Sequence, residues 1–231
     1  MAEFERKLAA VHERIASACK RVGRSPDSVR LLPVSKTVDV ACLRLAYQAG
    51  CRYLGENKVQ EAYEKSLELA DLGDLRWSMI GHLQTNKARL VARFASEFQA
   101  LDSLRVAREL DKRLQDEGRA LDVFVQVNSS GENSKFGLPP DALPAFLREL
   151  PAFGALRARG LMTLAARSDD TARVRACFRL MRELREQLRQ DAPDGVDLKE
   201  LSMGMSGDYE LAIEEGATVI RVGQAIFGAR A

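Results

Sequence analysis

Lys36 closes the run Leu31-Leu32-Pro33-Val34-Ser35-Lys36. The run reads as a short strand, and a strand buried on both faces takes apolar residues throughout. A lysine at its last position is poorly hydrated, and dehydration favours the neutral form of an amine. A neutral amine is a nucleophile that forms a Schiff base with a carbonyl. The alternative is a lysine with a covered stem and an ammonium in water. Two later segments suit an anion. Ser206-Gly207-Asp208 precedes a helical stretch at Tyr209–Glu215. Ser206 suits the N-cap, and Gly207 lets the backbone come close to an anion. Gly223 follows the apolar run ending Arg221-Val222 and offers a second close approach. An ordinary cap and a packing glycine remain the other reading of these loops. Arg221 is either a donor to a ligand or the ion-pair partner of Asp208 or Glu210.

Placing these groups together requires a particular set of elements. Strand-like segments fall at 31–36, 51–55, 76–80, 97–101, 121–128, 157–163, 198–202 and 218–222, with helical patterns between them. The clearest helix is 171–190, with Val174, Cys177, Phe178, Met181, Leu184 and Leu188 on one face. Phe4, Leu8, Val11, Ile15 and Val22 mark an additional N-terminal helix over 1–22, broken at Gly23-Arg24-Ser25-Pro26-Asp27 and expected beneath the barrel. Strands alternating with helices imply parallel βαβ units. An open doubly wound sheet and a closed barrel both fit. The count of eight and the length of 231 residues favour a single-domain (β/α)₈ TIM barrel over 1–231. In that fold, ligand groups sit at the C-terminal strand ends, and phosphate is often held after strands seven and eight. The strand bodies read as apolar. A strand-one amine and a phosphate cup at those two loops together point to pyridoxal 5'-phosphate (PLP). Arg221 opposite the pyridine nitrogen would donate a hydrogen bond and could not accept that nitrogen's proton.

Composition narrows the function classes. Hydrophobic residues make up 46% and charged residues 29%, with 35 basic against 33 acidic side chains and a net charge of +2. No bulk field favours nucleic acid or an anionic membrane. No apolar run reaches the roughly 18 residues that a spanning helix needs. The charged start Met1-Ala2-Glu3-Phe4-Glu5-Arg6 does not read as a secretory signal. Cys19, Cys42, Cys51 and Cys177 form no C-x-x-C pair, which suits free thiols in a cytoplasmic protein. With only His12 and His82, no zinc site is expected.

Seven segments resemble one family in order along the chain: Pro33-Val34-Ser35-Lys36-Thr37, Gly55-Glu56-Asn57-Lys58-Val59-Gln60-Glu61, Ile80-Gly81-His82-Leu83-Gln84-Thr85-Asn86-Lys87, Asn133-Ser134-Lys135-Phe136-Gly137, Arg159-Gly160-Leu161-Met162, Leu201-Ser202-Met203-Gly204-Met205-Ser206, and Arg221-Val222-Gly223-Gln224-Ala225-Ile226-Phe227-Gly228. The chain resembles the YggS/PROSC family of PLP homeostasis proteins, which look like the barrel domain of alanine racemase (fold type III). The resemblance implies that Lys36 carries the cofactor as a Schiff base and that Asn57 lies beside the ring. It implies that Ser206, Gly223 and Gln224 hold the phosphate, beside the Gly207 read from its own loop, and that Arg221 faces the ring nitrogen. The family usually has Thr or Ser where this chain has Gln224, so either the longer amide or the backbone N–H there could serve. Alanine racemase adds a tyrosine from a second domain, which a chain ending at Ala231 is not expected to have. The resemblance therefore implies storage, buffering or delivery of PLP by a cytoplasmic monomer, with apo forms of PLP enzymes as partners. The runner-up is a weak amino-acid racemase with His82 or Lys135 as second base.

Overall fold

The computed structural model describes residues 2–228. Eight strands alternate with helices: β1 (Arg30–Pro33), β2 (Tyr53–Glu56), β3 (Arg76–Met79), β4 (Glu97–Leu101), β5 (Leu121–Gln126), β6 (Leu156–Met162), β7 (Val196–Met205) and β8 (Val219–Val222). The helices are α1 (Ala2–Arg21), α2 (Val40–Gln48), α3 (Val59–Glu68), α4 (Ala88–Phe94), α5 (Leu104–Asp116), α6 (Leu143–Glu149), α7 (Thr171–Arg189), α8 (Tyr209–Glu214) and α9 (Gln224–Phe227). Every ladder is parallel, in the order β1-β8-β7-β6-β5-β4-β3-β2. The ring is joined between β1 and β2 by a single parallel bridge, Val34 to Gly55. This is the (β/α)₈ barrel expected from the alternation.

The strand bounds differ from the pattern in instructive places. β1 stops at Pro33, where the chain passes from β8 to β2. The Val34 N–H still donates to the Val222 carbonyl of β8 at 2.8 Å, and the next N–H, of Ser35, donates to the Gly55 carbonyl of β2 at 2.9 Å. β5 ends at Gln126. Beyond it Val127 bridges Leu138, and the Asn128 N–H donates to the Leu138 carbonyl at 2.9 Å, so the chain turns into the 129–137 loop. At Gly160, inside β6, a Cβ would fall 2.0 Å from the Glu200 carbonyl oxygen, so only glycine lets β6 and β7 approach this closely.

The first helix does not lie beneath the barrel. α1 packs in the outer ring beside α8 and α9. Phe4 meets Phe227 with ring centroids 5.6 Å apart, and Arg14 and Arg21 pair with Glu210 at 2.6 and 2.9 Å. The cause is the brevity of α9. Four residues cannot cover the outer face of β8 and β1, and the amphipathic α1 supplies Leu8, Val11, Ile15 and Ala18 instead.

Candidate functional site

Lys36 stands two residues past the Val34–Gly55 bridge that joins the ring, in a turn and half-buried. The expected poorly hydrated lysine at the last strand position is thus corrected: β1 gives way to the β2 bridge before reaching it. The backbone on both sides of Lys36 is held from below by one buried cluster. Lys65 Nζ donates to the Ser35 carbonyl at 2.8 Å, to Glu56 Oε1 at 2.8 Å and to Glu61 Oε1 at 2.7 Å. Ser35 Oγ donates to the same Glu56 oxygen at 2.7 Å, and the Thr37 N–H donates to Glu61 at 2.7 Å. Thr37 has φ 63°, the one positive value among the described non-glycine residues. That conformation costs roughly 1–2 kcal/mol for an L-residue, so the Glu61 contact holds a strained turn. Burial pushes the Glu56 carboxyl up, against the hydrogen bonds from Lys65 and Ser35 that favour its charge. Burial also opposes the Glu61 charge, but Lys65 and the Thr37 N–H win and hold that carboxyl low.

The two loops read from the sequence as suited to an anion meet each other. Ser206 Oγ accepts from the Gly223 N–H at 3.4 Å, tying the loop after β7 to the loop after β8. Ser206 is not the cap of α8. Asp208 occupies that position, and its carboxylate accepts from the Met205 N–H at 2.6 Å, closing a tight turn around Ser206 and Gly207. Burial pushes the Asp208 carboxyl up, with the Met205 bond acting against it. At Gly223 a Cβ would lie 3.0 Å from the Val34 carbonyl oxygen, so this loop sits against the joint below Lys36 because it lacks a side chain. Gly81 presses closer still on the Asn57 backbone, 2.4 Å from its carbonyl oxygen for an added Cβ. That fixes Asn57 at the cavity wall.

Arg221 is buried at 3% exposure and pairs with neither Asp208 nor Glu210 within salt-bridge range. Its Nη1 donates to Ser202 Oγ at 2.6 Å and its Nη2 to the Thr163 carbonyl at 2.7 Å. Burial pushes the guanidinium down to about 10, so it stays a cation at neutral pH. Two of its five N–H donors are used. The barrel interior beneath it is also not apolar: Ser78, Glu97, Gln99, Gln126 and Ser202 are all buried polar side chains of strands.

All seven residues singled out in the sequence line one cavity of about 410 Å³: Lys36, Asn57, Ser206, Gly207, Arg221, Gly223 and Gln224. Lys36, Gly223 and Gln224 also wall a smaller space of about 240 Å³ toward Asp39 and Cys42, but that space meets neither Arg221 nor Ser206. The sequence did not single out Gln126 or Leu164, which also line the main cavity. At the rim His82 stacks on Phe136, centroids 3.9 Å apart, with its Nδ1 3.6 Å from Asp102. Lys135 turns away and donates to the Ala165 carbonyl at 2.6 Å. None of the four tyrosines lines the cavity; Tyr209 is buried in α8 under the Arg14 guanidinium.

The alanine racemase N-terminal domain family matches residues 7–231. A pyridoxal phosphate homeostasis protein of Pseudomonas aeruginosa is 42% identical over 230 residues, spanning 100% of this chain and 97% of that protein. The solved structure of PipY from Synechococcus elongatus PCC7942 with PLP bound is 41% identical with a TM-score of 0.83, over 94% of this chain and 100% of PipY. An alanine racemase from Streptomyces lavendulae shares the fold at 19% identity and a TM-score of 0.70, over 96% of this chain and 58% of the racemase. Fold and site together define a barrel of the alanine racemase N-terminal class. Within that class, the chain belongs to the family of pyridoxal phosphate homeostasis proteins. No helix among the described residues is long and apolar enough to cross a membrane.

Proposed function

We infer that this chain binds PLP in the cavity at the C-terminal end of its barrel and acts in PLP homeostasis, storing, buffering or delivering the cofactor. The observation that carries the reading is the convergence of a lysine amine, a buried arginine and two tied anion loops on one cavity. The residues suit the group on three counts. The volume of about 410 Å³ lies within the range of small-ligand pockets. A buried guanidinium with unassigned donors needs an acceptor, and a pyridine nitrogen is one. The Ser206–Gly223 junction presents a hydroxyl and adjacent backbone N–H groups to a phosphate. When bound, PLP supplies an electrophilic aldehyde carbon conjugated to an electron-withdrawing ring.

Each residue then has one task. Lys36 holds the aldehyde carbon through its amine. Ser206, Gly207, Gly223 and the backbone of Gln224 hold the phosphate, and Asn57 flanks the ring. Arg221 donates to the ring nitrogen and, being donor-only, keeps that nitrogen without a proton. An unprotonated ring is a weak electron sink, which suits a carrier more than a catalyst. The carrier reading includes a cytoplasmic monomer of one domain that hands PLP to apo forms of PLP enzymes. The visible spectrum of the purified protein tests it: a band that PLP adds and borohydride abolishes supports the reading, and no band at saturating PLP overturns it.

The phosphate assignment yields a ranking. Ser206→Ala removes a hydroxyl that meets a dianion and loosens the tie to Gly223, so PLP affinity is expected to fall about ten- to a hundredfold. Gln224, exposed at the start of α9, is expected to cost less when changed to Ala. Titration of both variants by visible absorbance checks the order, and a larger loss for Gln224→Ala would reverse it.

One observation favours a second reading, weak racemase activity. His82 lines the cavity at the rim with Asp102 behind it, where a second base would stand. Incubation with single-enantiomer amino acids, followed by optical rotation, tests this. Racemisation that His82→Gln removes would favour the enzyme; no change in rotation over days favours the carrier.

A further inference from the structure

Arg221 is buried with no carboxylate in contact, so hydrogen bonds set where its guanidinium points. One of them opens a row that runs through the middle of the barrel. Arg221 Nη1 donates to Ser202 Oγ, and Ser202 Oγ donates to Gln99 Oε1 at 2.5 Å. Gln99 Nε2 then donates to Glu97 Oε1 at 2.5 Å. The Ser202–Gln99 bond joins β7 to β4, which are not neighbours in the sheet, so it crosses the interior. Glu97 ends the row, where Ser78 Oγ donates to it at 2.6 Å and Arg30 Nη2 at 2.7 Å. Arg30 opens β1, so the row spans from the N-terminal end of the barrel to the cavity.

The direction of every bond is forced. A guanidinium only donates and a carboxylate only accepts, so the serine hydroxyl and the amide between them have one orientation each. Reversing the Gln99 amide would set its oxygen against the Glu97 carboxylate. Serine spends its single proton on Gln99 and keeps its lone pairs for Arg221. The row is therefore a polarised array that runs from the Arg221 guanidinium down to the Glu97–Arg30 ion pair, and such arrays strengthen their members in a low dielectric.

We propose that Glu97, acting through Gln99 and Ser202, is a positioning residue that holds the Arg221 guanidinium aimed into the cavity. The inference rests on the PLP reading for its ligand but not for its geometry. Glu97 touches neither the cavity nor any group placed in it. With Glu97→Gln the amide at 99 loses its fixed orientation, Ser202 is free to rotate, and Arg221 loses its alignment with the ring nitrogen.

The test is a double-mutant cycle on the full chain with Glu97→Gln and Arg221→Leu, read in three ways. PLP affinity is expected to fall about tenfold in Glu97→Gln alone, the effect of one charged hydrogen bond. It should fall little further when Glu97→Gln is added to Arg221→Leu. The visible band of bound PLP should shift in Glu97→Gln, while the affinity for inorganic phosphate stays unchanged, because the phosphate loops are untouched. Unfolding of the cofactor-free proteins should show the same non-additivity. Equal losses from Glu97→Gln in both backgrounds, or an unshifted band with additive unfolding, would overturn the proposal and leave Glu97 a purely structural acid. If Glu97→Gln fails to fold, Gln99→Met breaks the row without removing a charge and carries the same cycle. A wild-type protein with no PLP band would instead count against the PLP reading, and the cofactor-free unfolding cycle would still decide the coupling of Glu97 to Arg221.

Discussion

Lys36→Ala is expected to lose the borohydride-reducible PLP band and at least about a hundredfold in cofactor affinity, equivalent to about 2.7 kcal/mol. The magnitude follows from position. Lys36 is the one lysine on the cavity wall, since Lys135 turns away to Ala165 and Lys65 is engaged below the turn. Removing its amine leaves the phosphate loops and Arg221 intact, so PLP should still bind weakly and reversibly, without the covalent link. The check is reduction with borohydride followed by peptide mass mapping. In the wild type the adduct should map to Lys36. A full, reducible band in Lys36→Ala, with the adduct on another lysine, would contradict the assignment.

Lys65→Met is expected to destabilise the cofactor-free fold by about 3–5 kcal/mol at neutral pH, the cost of stranding buried charge. Glu56 is fully buried and would lose its only cation; Glu61 would lose the partner that holds its carboxyl low. The deficit should depend on pH in a definite direction. Glu56 already has a folded-state value raised by burial, so its contribution is complete below its unfolded value of about 4.3 and is lost as pH rises through the raised value. Removing Lys65 raises that value further. Glu61 acts the same way from the other side: its lowered value stabilises the fold above the unfolded value, and that benefit goes with Lys65. The Glu56 effect makes the deficit larger at pH 8 than at pH 5, while the Glu61 part is lost only below about pH 5 and is nearly constant across that interval. Chemical denaturation of wild type and variant across that interval reads it directly, and a deficit that does not change with pH would contradict the electrostatic origin. Adding Glu56→Gln should restore much of the loss, because the stranded charge is gone.

The site was legible in the sequence to the extent that single segments carry it. Lys36, the Ser206-Gly207 turn, Gly223 and Arg221 each sit at the end of a readable strand, and the barrel rule for strand ends brought them together. What escaped was set by contacts between segments distant in sequence. β1 ends early because the Ser35 amide turns from β8 to Gly55, some twenty residues on. Ser206 fits the composition of a helix cap, but Asp208 takes that place because its carboxylate can close the turn onto Met205. Glu97 and Gln99 alternate with Phe98 and Ala100, a pattern that looks like the wet face of a strand. In a closed barrel that face is the interior, and only the pairing of Gln99 with Ser202 reveals it. α1 was readable as an amphipathic helix, but its place in the outer ring depends on the shortness of α9.

The narrow joint between β1 and β2 has a consequence for motion. Seven of the eight seams in the ring are ladders of two or more register pairs, while this one is a single bridge with the Ser35 amide beside it. Local opening takes the path that breaks the fewest bonds, so amide exchange in the barrel should be fastest at this seam. Lys36 is the next residue along the chain. Arg221 is anchored on the far side of β1, where β8 is laddered to both neighbours. The anchor proposed for the ring nitrogen thus belongs to the rigid part of the cylinder, and the anchor proposed for the aldehyde rides on its hinge.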